Sequence, residues 1–303
     1  LKTLLVILGP TAVGKTEFSL KMAELFSSPI LNADSRQVYR DIPIGTAAPT
    51  EMELQRVKHY FVGTLSLEDY YSAAQYETDT LNLLHELFRN KDVVVMSGGS
   101  MLYIDAVCRG IDDIPTIDDT TRLWMRERYE REGLERLVEE LRLLDPEYYA
   151  ICDHKNPKRV IHALEICHMS GRTYTSFRVG NIKQRPFNIL KIGLERERAD
   201  LFGRINSRVD DMVTKGLIEE ARRVSSYRHL NALNTVGFKE MFNYLDGNWN
   251  LDFALDKIRR NTRVYAKKQM TWFKKDASIH WFCPTDLNAI RYFIDKQLAD
   301  CGK

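Results

Sequence analysis

Gly9-Pro10-Thr11-Ala12-Val13-Gly14-Lys15-Thr16 matches the pattern GxxxxGK(S/T) in full. A short apolar run, Thr3 to Leu8, stands before it and reads as a strand. After it, Glu17 to Phe26 has helical periodicity, with Phe18, Met22 and Leu25 expected on one side. Strand, glycine loop and helix make the context in which this pattern holds phosphate. The glycines let backbone N–H groups curl around an anion, and the helix N-terminus adds partial positive charge. Lys15 is expected to neutralise terminal phosphate oxygens. The Thr16 hydroxyl is expected to bind a Mg²⁺ held by the same phosphates. The loop predicts a bound di- or triphosphate without saying which one.

Two further apolar runs follow. Pro29 to Leu31 closes in Asn32, Ala33 and Asp34, and Val93 to Met96 closes in Ser97-Gly98-Gly99-Ser100. The fold class expected is α/β, a P-loop parallel sheet with crossover helices. In such sheets working residues gather at the carboxyl ends of strands, where Gly9, Asp34 and Gly98 all fall. The sequence does not order the strands. The run ending in Ser97 lacks the carboxylate that nucleotide-hydrolysing P-loop enzymes place at such an end, which counts against nucleotide hydrolysis.

From about Thr116 to Arg185 the chain becomes charged and mainly helical, with Pro146 and Pro157 as punctuation. Phe187 to Leu194 then returns to strand-like alternation. The organisation expected is a catalytic core over 1–115 and 186–303, interrupted by a helical insertion over 116–185. Helical stretches from Arg198 to Ser225 and from Leu251 to Lys275 come next. A short strand, Ile279 to Phe282, and a last amphipathic helix complete the chain.

The 303 residues are 44% apolar and 28% charged, the balance of an ordinary globular protein. No apolar run is long enough to cross a bilayer. Leu1 to Leu8 lacks the basic start and cleavage site of a signal peptide, so it reads as a first strand. The five cysteines share no CxxC spacing, which predicts reduced thiols, a cytoplasmic location and no structural zinc. From Lys257 to Lys275 there are eight Lys/Arg and no Asp or Glu. That run reads either as a surface for a polyanion or as a solvated helix face.

Asp34 also reads two ways. Beside the glycine loop it can accept a proton from an attacking amine or hydroxyl. Alternatively it caps a following helix. Gln37 offers a donor and an acceptor suited to a base edge.

Taken together, the sequence resembles the tRNA dimethylallyltransferase (tRNA isopentenyltransferase) family. The matching segments are GPTAVGKT at 9–16, NADSRQVY at 32–39, IGTAAPT at 44–50 and SGGSMLY at 97–103. NPKRVIHALEI at 156–166, RINSRVDDMVTKGLIEEA at 204–221, NTVGFKE at 234–240 and KKQMTWFKK at 267–275 follow in family order. The pairing of the first two segments at this spacing is far more specific than the glycine loop alone.

The resemblance implies that Gly9 to Thr16 hold the pyrophosphate of dimethylallyl pyrophosphate, with Mg²⁺ on Thr16. It implies transfer of the dimethylallyl group to the exocyclic amine of the adenine just 3′ of the anticodon. Asp34 is then the base, and Thr11 lies close to the phosphates. Arg208 is either a second cation on the leaving group or a surface helix arginine. Asp34, Ser35, Arg36 and Gln37 are expected to hold the flipped adenine. Ser100 and the stretch Lys158, Arg159, Val160, Ile161 and His162 are expected to contact the anticodon stem-loop of the tRNA. Lys267 and Lys268 are expected to meet phosphates, and Tyr265, Trp272 and Phe273 either stack on bases or pack in the core. The sequence departs from the family at Ser100 (commonly Thr), Met101 (commonly Gly) and His162 (often Arg). It shows no Cys/His zinc finger, which implies a bacterial-type enzyme, expected as a monomer with no membrane partner. Three rivals are a transferase acting on free adenylate, a P-loop kinase and a non-enzymatic RNA-binding protein.

Overall fold

The computed structural model describes residues 2–301; Leu1 and the side chain of Cys301 lie outside the described residues. In chain order the first half contains β1 (Thr3–Leu8), α1 (Lys15–Leu25), β2 (Ile30–Ala33), α2 (Glu51–Arg56) and β3 (His59–Tyr60). Next come α3 (Ala73–Leu87), β4 (Val93–Gly98) and α4 (Met101–Arg109). Three helices follow, α5 (Asp119–Leu144), α6 (Pro146–Ile151) and α7 (Pro157–Ser170). The rest is β5 (Asn188–Leu194), α8 (Arg198–Thr214), α9 (Leu217–Arg223), α10 (Phe238–Leu245), α11 (Leu251–Phe273), β6 (Ile279–Phe282) and α12 (Leu287–Cys301).

The six strands form one sheet in the order β3-β2-β4-β1-β5-β6, and each pairing is parallel. Every residue of β1 and β4 is buried. That is why both strands read as unbroken apolar runs rather than as alternating ones. Leu5, Ile7 and Val95 face one core with Phe18 and Met22 of α1, Ile205 of α8 and Ile290 of α12. Leu4, Val6 and Met96 face the other core with Tyr76 and Leu84 of α3, Ile104 of α4 and Phe273 of α11. Helices thus cover both faces, as the crossover connections of parallel strands require.

Two local expectations need correction. Leu25 is exposed, and the buried side of α1 is Phe18, Ser19, Leu20, Met22 and Ala23. The stretch from Arg198 to Ser225 is two helices, broken at Lys215 and Gly216. Strand β3 is only two residues long, too short to show as an apolar run in the sequence.

The chain divides into two compact units. One ends at Cys108 and resumes at Gln184; the other is Arg109–Lys183. The second unit has its own core, built from Met125, Leu137 and Leu141 of α5 with Val160 and Leu164 of α7. Its entry and exit meet, because Lys183 N–H donates to Arg109 O at 2.7 Å. Cys108 and Cys167 are buried free thiols, and Cys152 and Cys283 are free and half-buried. Among the described residues, no helix is long and apolar enough to cross a membrane.

Candidate active site

Sheet register places the site. Leu8 of β1 pairs with Gly98 of β4, and Gly98 pairs in turn with Ala33 of β2. Three neighbouring strands therefore stop on one row, and Gly9, Gly99 and Asp34 each follow one residue beyond it. Adjacent strands lie about 4.8 Å apart, so β1 and β2, two places apart, put the glycine loop and Asp34 on the order of 10 Å from each other. A cavity of about 1020 Å³ opens over this row, lined by the loop, by Asp34 to Gln37, and by Ser97 to Ser100.

Gly14 sits at the N-cap of α1 with φ 109°, a left-handed conformation that costs glycine nothing. Two arginines brace the loop. Arg204 Nε donates to Ala12 O at 2.8 Å, and Arg196 Nε donates to Val13 O at 2.7 Å. Lys15 Nζ donates to Gly9 O at 3.0 Å and Pro10 O at 2.8 Å. Burial and, after it, the nearby Arg208 charge bring the Lys15 pKa down to about 7, against a smaller upward pull from Asp34. Thr16 is exposed and lines the cavity.

Asp34 is half-buried and lines the cavity. Its Oδ1 accepts from Arg36 N–H at 2.9 Å and Gln37 N–H at 3.3 Å. That is capping geometry, yet a chain of turns follows rather than a helix. The cap reading is thus half right. Oδ2 accepts no hydrogen bond among the described residues. Ser35 and Arg36 line the same wall, and Arg36 Nη1 reaches Asn231 O at 2.8 Å.

Gln37 differs from its expected use. Nε2 donates to both Thr46 O and Ala47 O at 3.0 Å, so its donors hold the 44–50 loop and its Oε1 is the group left over. Arg208 is no surface arginine: it is half-buried in the cavity wall, with Nη2 3.3 Å from Thr46 O. Burial lowers its pKa from the ordinary arginine value, while Asp34 opposes this. Ser100 is buried; its Oγ accepts from Ser35 N–H at 2.8 Å and donates to Ser35 Oγ at 3.2 Å.

The remaining candidates separate. Lys268 lines the cavity, Lys267 is exposed beside it on α11, and Tyr265 of the same helix faces the cavity. Burial, with the Asp34 charge second, pushes the Tyr265 phenol up to about 12. Phe273 is core, and Trp272 Nε1 donates to Asp105 at 2.7 Å. Lys158 to His162 form the start of α7 in the helical unit. There Lys158 and Arg159 are exposed, Ile161 and His162 half-buried. Val160 is fully buried in that unit's core, so its side chain packs rather than binds.

Three features escaped the sequence reading. Glu220, buried on α9, accepts from Ile44 N–H at 2.9 Å and Gly45 N–H at 2.7 Å, fixing the 44–50 loop. Asn234 to Gly237, with Lys239 and Glu240, supply another part of the cavity wall. Gln269 of α11 joins the glycine loop to the turn after β4. Its signal was present: a polar residue in the buried stripe Ala266, Gln269, Phe273. Among the described residues, no group of three His, Cys, Asp or Glu side chains is placed to hold a metal.

The model of the IPP transferase family matches residues 37–276. The chain belongs to that family. The chain is similar to tRNA dimethylallyltransferase 1 of Phocaeicola vulgatus, at 63% identity over 96% of this chain and 97% of the relative. It is 41% identical to the tRNA dimethylallyltransferase of Cytophaga hutchinsonii over 99% of this chain and 98% of that one. Among solved structures, the tRNA isopentenylpyrophosphate transferase of Bacillus halodurans superposes with a TM-score of 0.73 at 34% identity. That match covers 99% and 98% of the two chains. A eukaryotic dimethylallyltransferase acting on tRNA shares the fold, with a TM-score of 0.78 at 24% identity over 95% of this chain and 75% of that one.

Proposed function

We propose that this enzyme transfers a dimethylallyl group from dimethylallyl pyrophosphate to the exocyclic amine of the adenine 3′ to the anticodon in tRNA, releasing pyrophosphate. One observation carries the reading. The glycine loop and Asp34 border one cavity, while β4 between them ends in Ser97-Gly98 without a carboxylate. A site built for nucleotide hydrolysis would place its acid there.

The exocyclic amine is a weak nucleophile, because its lone pair is drawn into the ring. Transfer needs a good leaving group on one side and a proton acceptor on the other. Gly9 to Thr16 cradle the pyrophosphate. Lys15 and Arg208 take up the charge that develops as the C1–O bond breaks. The amine nitrogen forms the new bond to C1, and its proton passes to Asp34. Thr11 borders the same phosphates. Ser35, Arg36 and Gln37 flank the base, and Ser100 holds Ser35 in place.

Mg²⁺ fits this site. The Thr16 hydroxyl offers one hard oxygen, and this ion prefers to complete its shell with phosphate oxygens and water rather than a protein cage. When bound, Mg²⁺ neutralises charge on the leaving pyrophosphate. Lys267 and Lys268 meet RNA phosphates, and Tyr265 offers a ring for stacking. Lys158, Arg159, Ile161 and His162, in a helical unit read as the tRNA-contacting insertion, meet the anticodon arm, while Val160 packs beneath them. The enzyme acts as a cytoplasmic monomer, where unmodified tRNA is available.

The test is transfer of labelled dimethylallyl pyrophosphate to unmodified anticodon stem-loop RNA, with Mg²⁺ and no ATP. Label on the RNA is the expected result. Label on free adenylate instead, or no label with ATP turnover, would replace this reading with one of its rivals.

A further inference from the structure

Gln269 has 2% of its surface exposed, yet it is polar at both ends. Its Oε1 accepts from Thr11 N–H at 2.9 Å, and its Nε2 donates to Gly99 O at 2.8 Å. The fit allows no side chain opposite, because a Cβ on Gly99 would stand 2.5 Å from Nε2. Gly99 leads into Ser100, whose N–H donates to Ala33 O at 3.1 Å and whose Oγ holds Ser35 N–H. The sheet ladder ends at Leu8, Gly98 and Ala33. Beyond that row the line continues through side chains, from the phosphate loop through Gln269, Gly99 and Ser100 to Ser35 beside Asp34.

We infer that Gln269 is a positioning residue for the transfer reaction, fixing the separation between the leaving-group loop and the proton acceptor. The inference rests on the function proposed above. Gln269 bonds to backbone on both sides, so its loss is read in turnover rather than in ligand affinity. A misplacement near 1 Å between reacting groups costs about a hundredfold in rate.

The test uses the full chain with Gln269→Glu and Gln269→Asn. The first keeps the acceptor for Thr11 N–H but sets a carboxylate oxygen against Gly99 O. The second is one methylene too short to span both partners. Turnover is measured with dimethylallyl pyrophosphate and stem-loop RNA, affinity with inorganic pyrophosphate and Mg²⁺, and folding by the thermal midpoint. The expected result is a kcat lower by about a hundredfold, with pyrophosphate affinity within about threefold of the parent. Gly99→Ala, which crowds the same amide from the other side, is expected to give the same split and serves if the Gln269 variants do not fold. A folded variant with parental kcat overturns the inference, as does loss of pyrophosphate affinity equal to the loss of kcat. A parent protein that transfers no label refutes the proposed function instead; a parent that transfers label beside undiminished variants refutes only the role of Gln269.

Discussion

Lys15 lies where burial and Arg208 discourage its charge, so in the free enzyme it titrates at about 7. A bound pyrophosphate supplies the opposite pull and raises that pKa. Above pH 7 the free site is mostly neutral at Lys15 and the occupied site is charged, so binding draws in protons. At pH 8, calorimetry in buffers of different ionisation enthalpy is expected to show uptake on the order of one proton per site. Lys15→Ala should abolish that uptake and weaken pyrophosphate binding and turnover together. Asp34→Ala is expected to lower turnover by about a hundredfold or more while sparing RNA affinity, measured by single-turnover transfer and by RNA titration. That Lys15 and Asp34 border one cavity was legible, because the glycine motif and the strand ends are local features of the sequence. Gln269 was not, because it meets Thr11 across 258 residues and Gly99 across 170. The half-truth at Asp34 has the same cause. Its cap bonds are local and readable, but whether a helix follows depends on the tertiary setting.

At the scale of elements, the 44–50 loop owes its place to Glu220. Two backbone N–H groups converge on this buried carboxylate, and an amide there must turn a donor toward one of them. Glu220→Gln is expected to destabilise the protein by about 1–3 kcal/mol in chemical denaturation, since a buried donor loses its partner. Helix α11 carries exposed Lys267 and Lys268 on one side and buried Ala266, Gln269 and Phe273 on another. Replacing both lysines with alanine should weaken stem-loop binding and flatten its salt dependence. The slope of log K against log salt is expected to fall by roughly 1.5. The basic run showed the charge of this helix plainly. Its buried polar residue needed the partner strands before it could be understood. The break at Gly216 was missed because apolar periodicity continues on both sides of it.

Across the whole molecule, the α/β class and the strand ends were readable because parallel strands buried on both faces are long apolar runs. Strand order was not, since it depends on pairings such as β1 with β5 that join residues far apart in the chain, Thr3 with Asn188 among them. The helical unit spans Arg109–Lys183, where the change in composition had suggested 116–185. Its entry and exit share a hydrogen bond, so joining residues 109 and 183 through a short linker leaves the sheet connections intact. Such a variant is expected to fold and keep pyrophosphate affinity. If Lys158 and Arg159 meet RNA phosphates as proposed, it should lose about tenfold or more in stem-loop affinity, with both read by titration.

The aligned ends of β1, β4 and β2 have one more consequence. Their spacing is written in backbone hydrogen bonds, which are the same for every side chain. Mutational drift along these strands can exchange Val for Ile or Leu, alter packing and shift stability, and still leave the row unmoved. The joints beyond the row have no such redundancy, because each depends on one particular side chain. Inheritance should therefore treat the two differently: loose in the strands that measure the distance, strict in the few residues that carry it into the cavity.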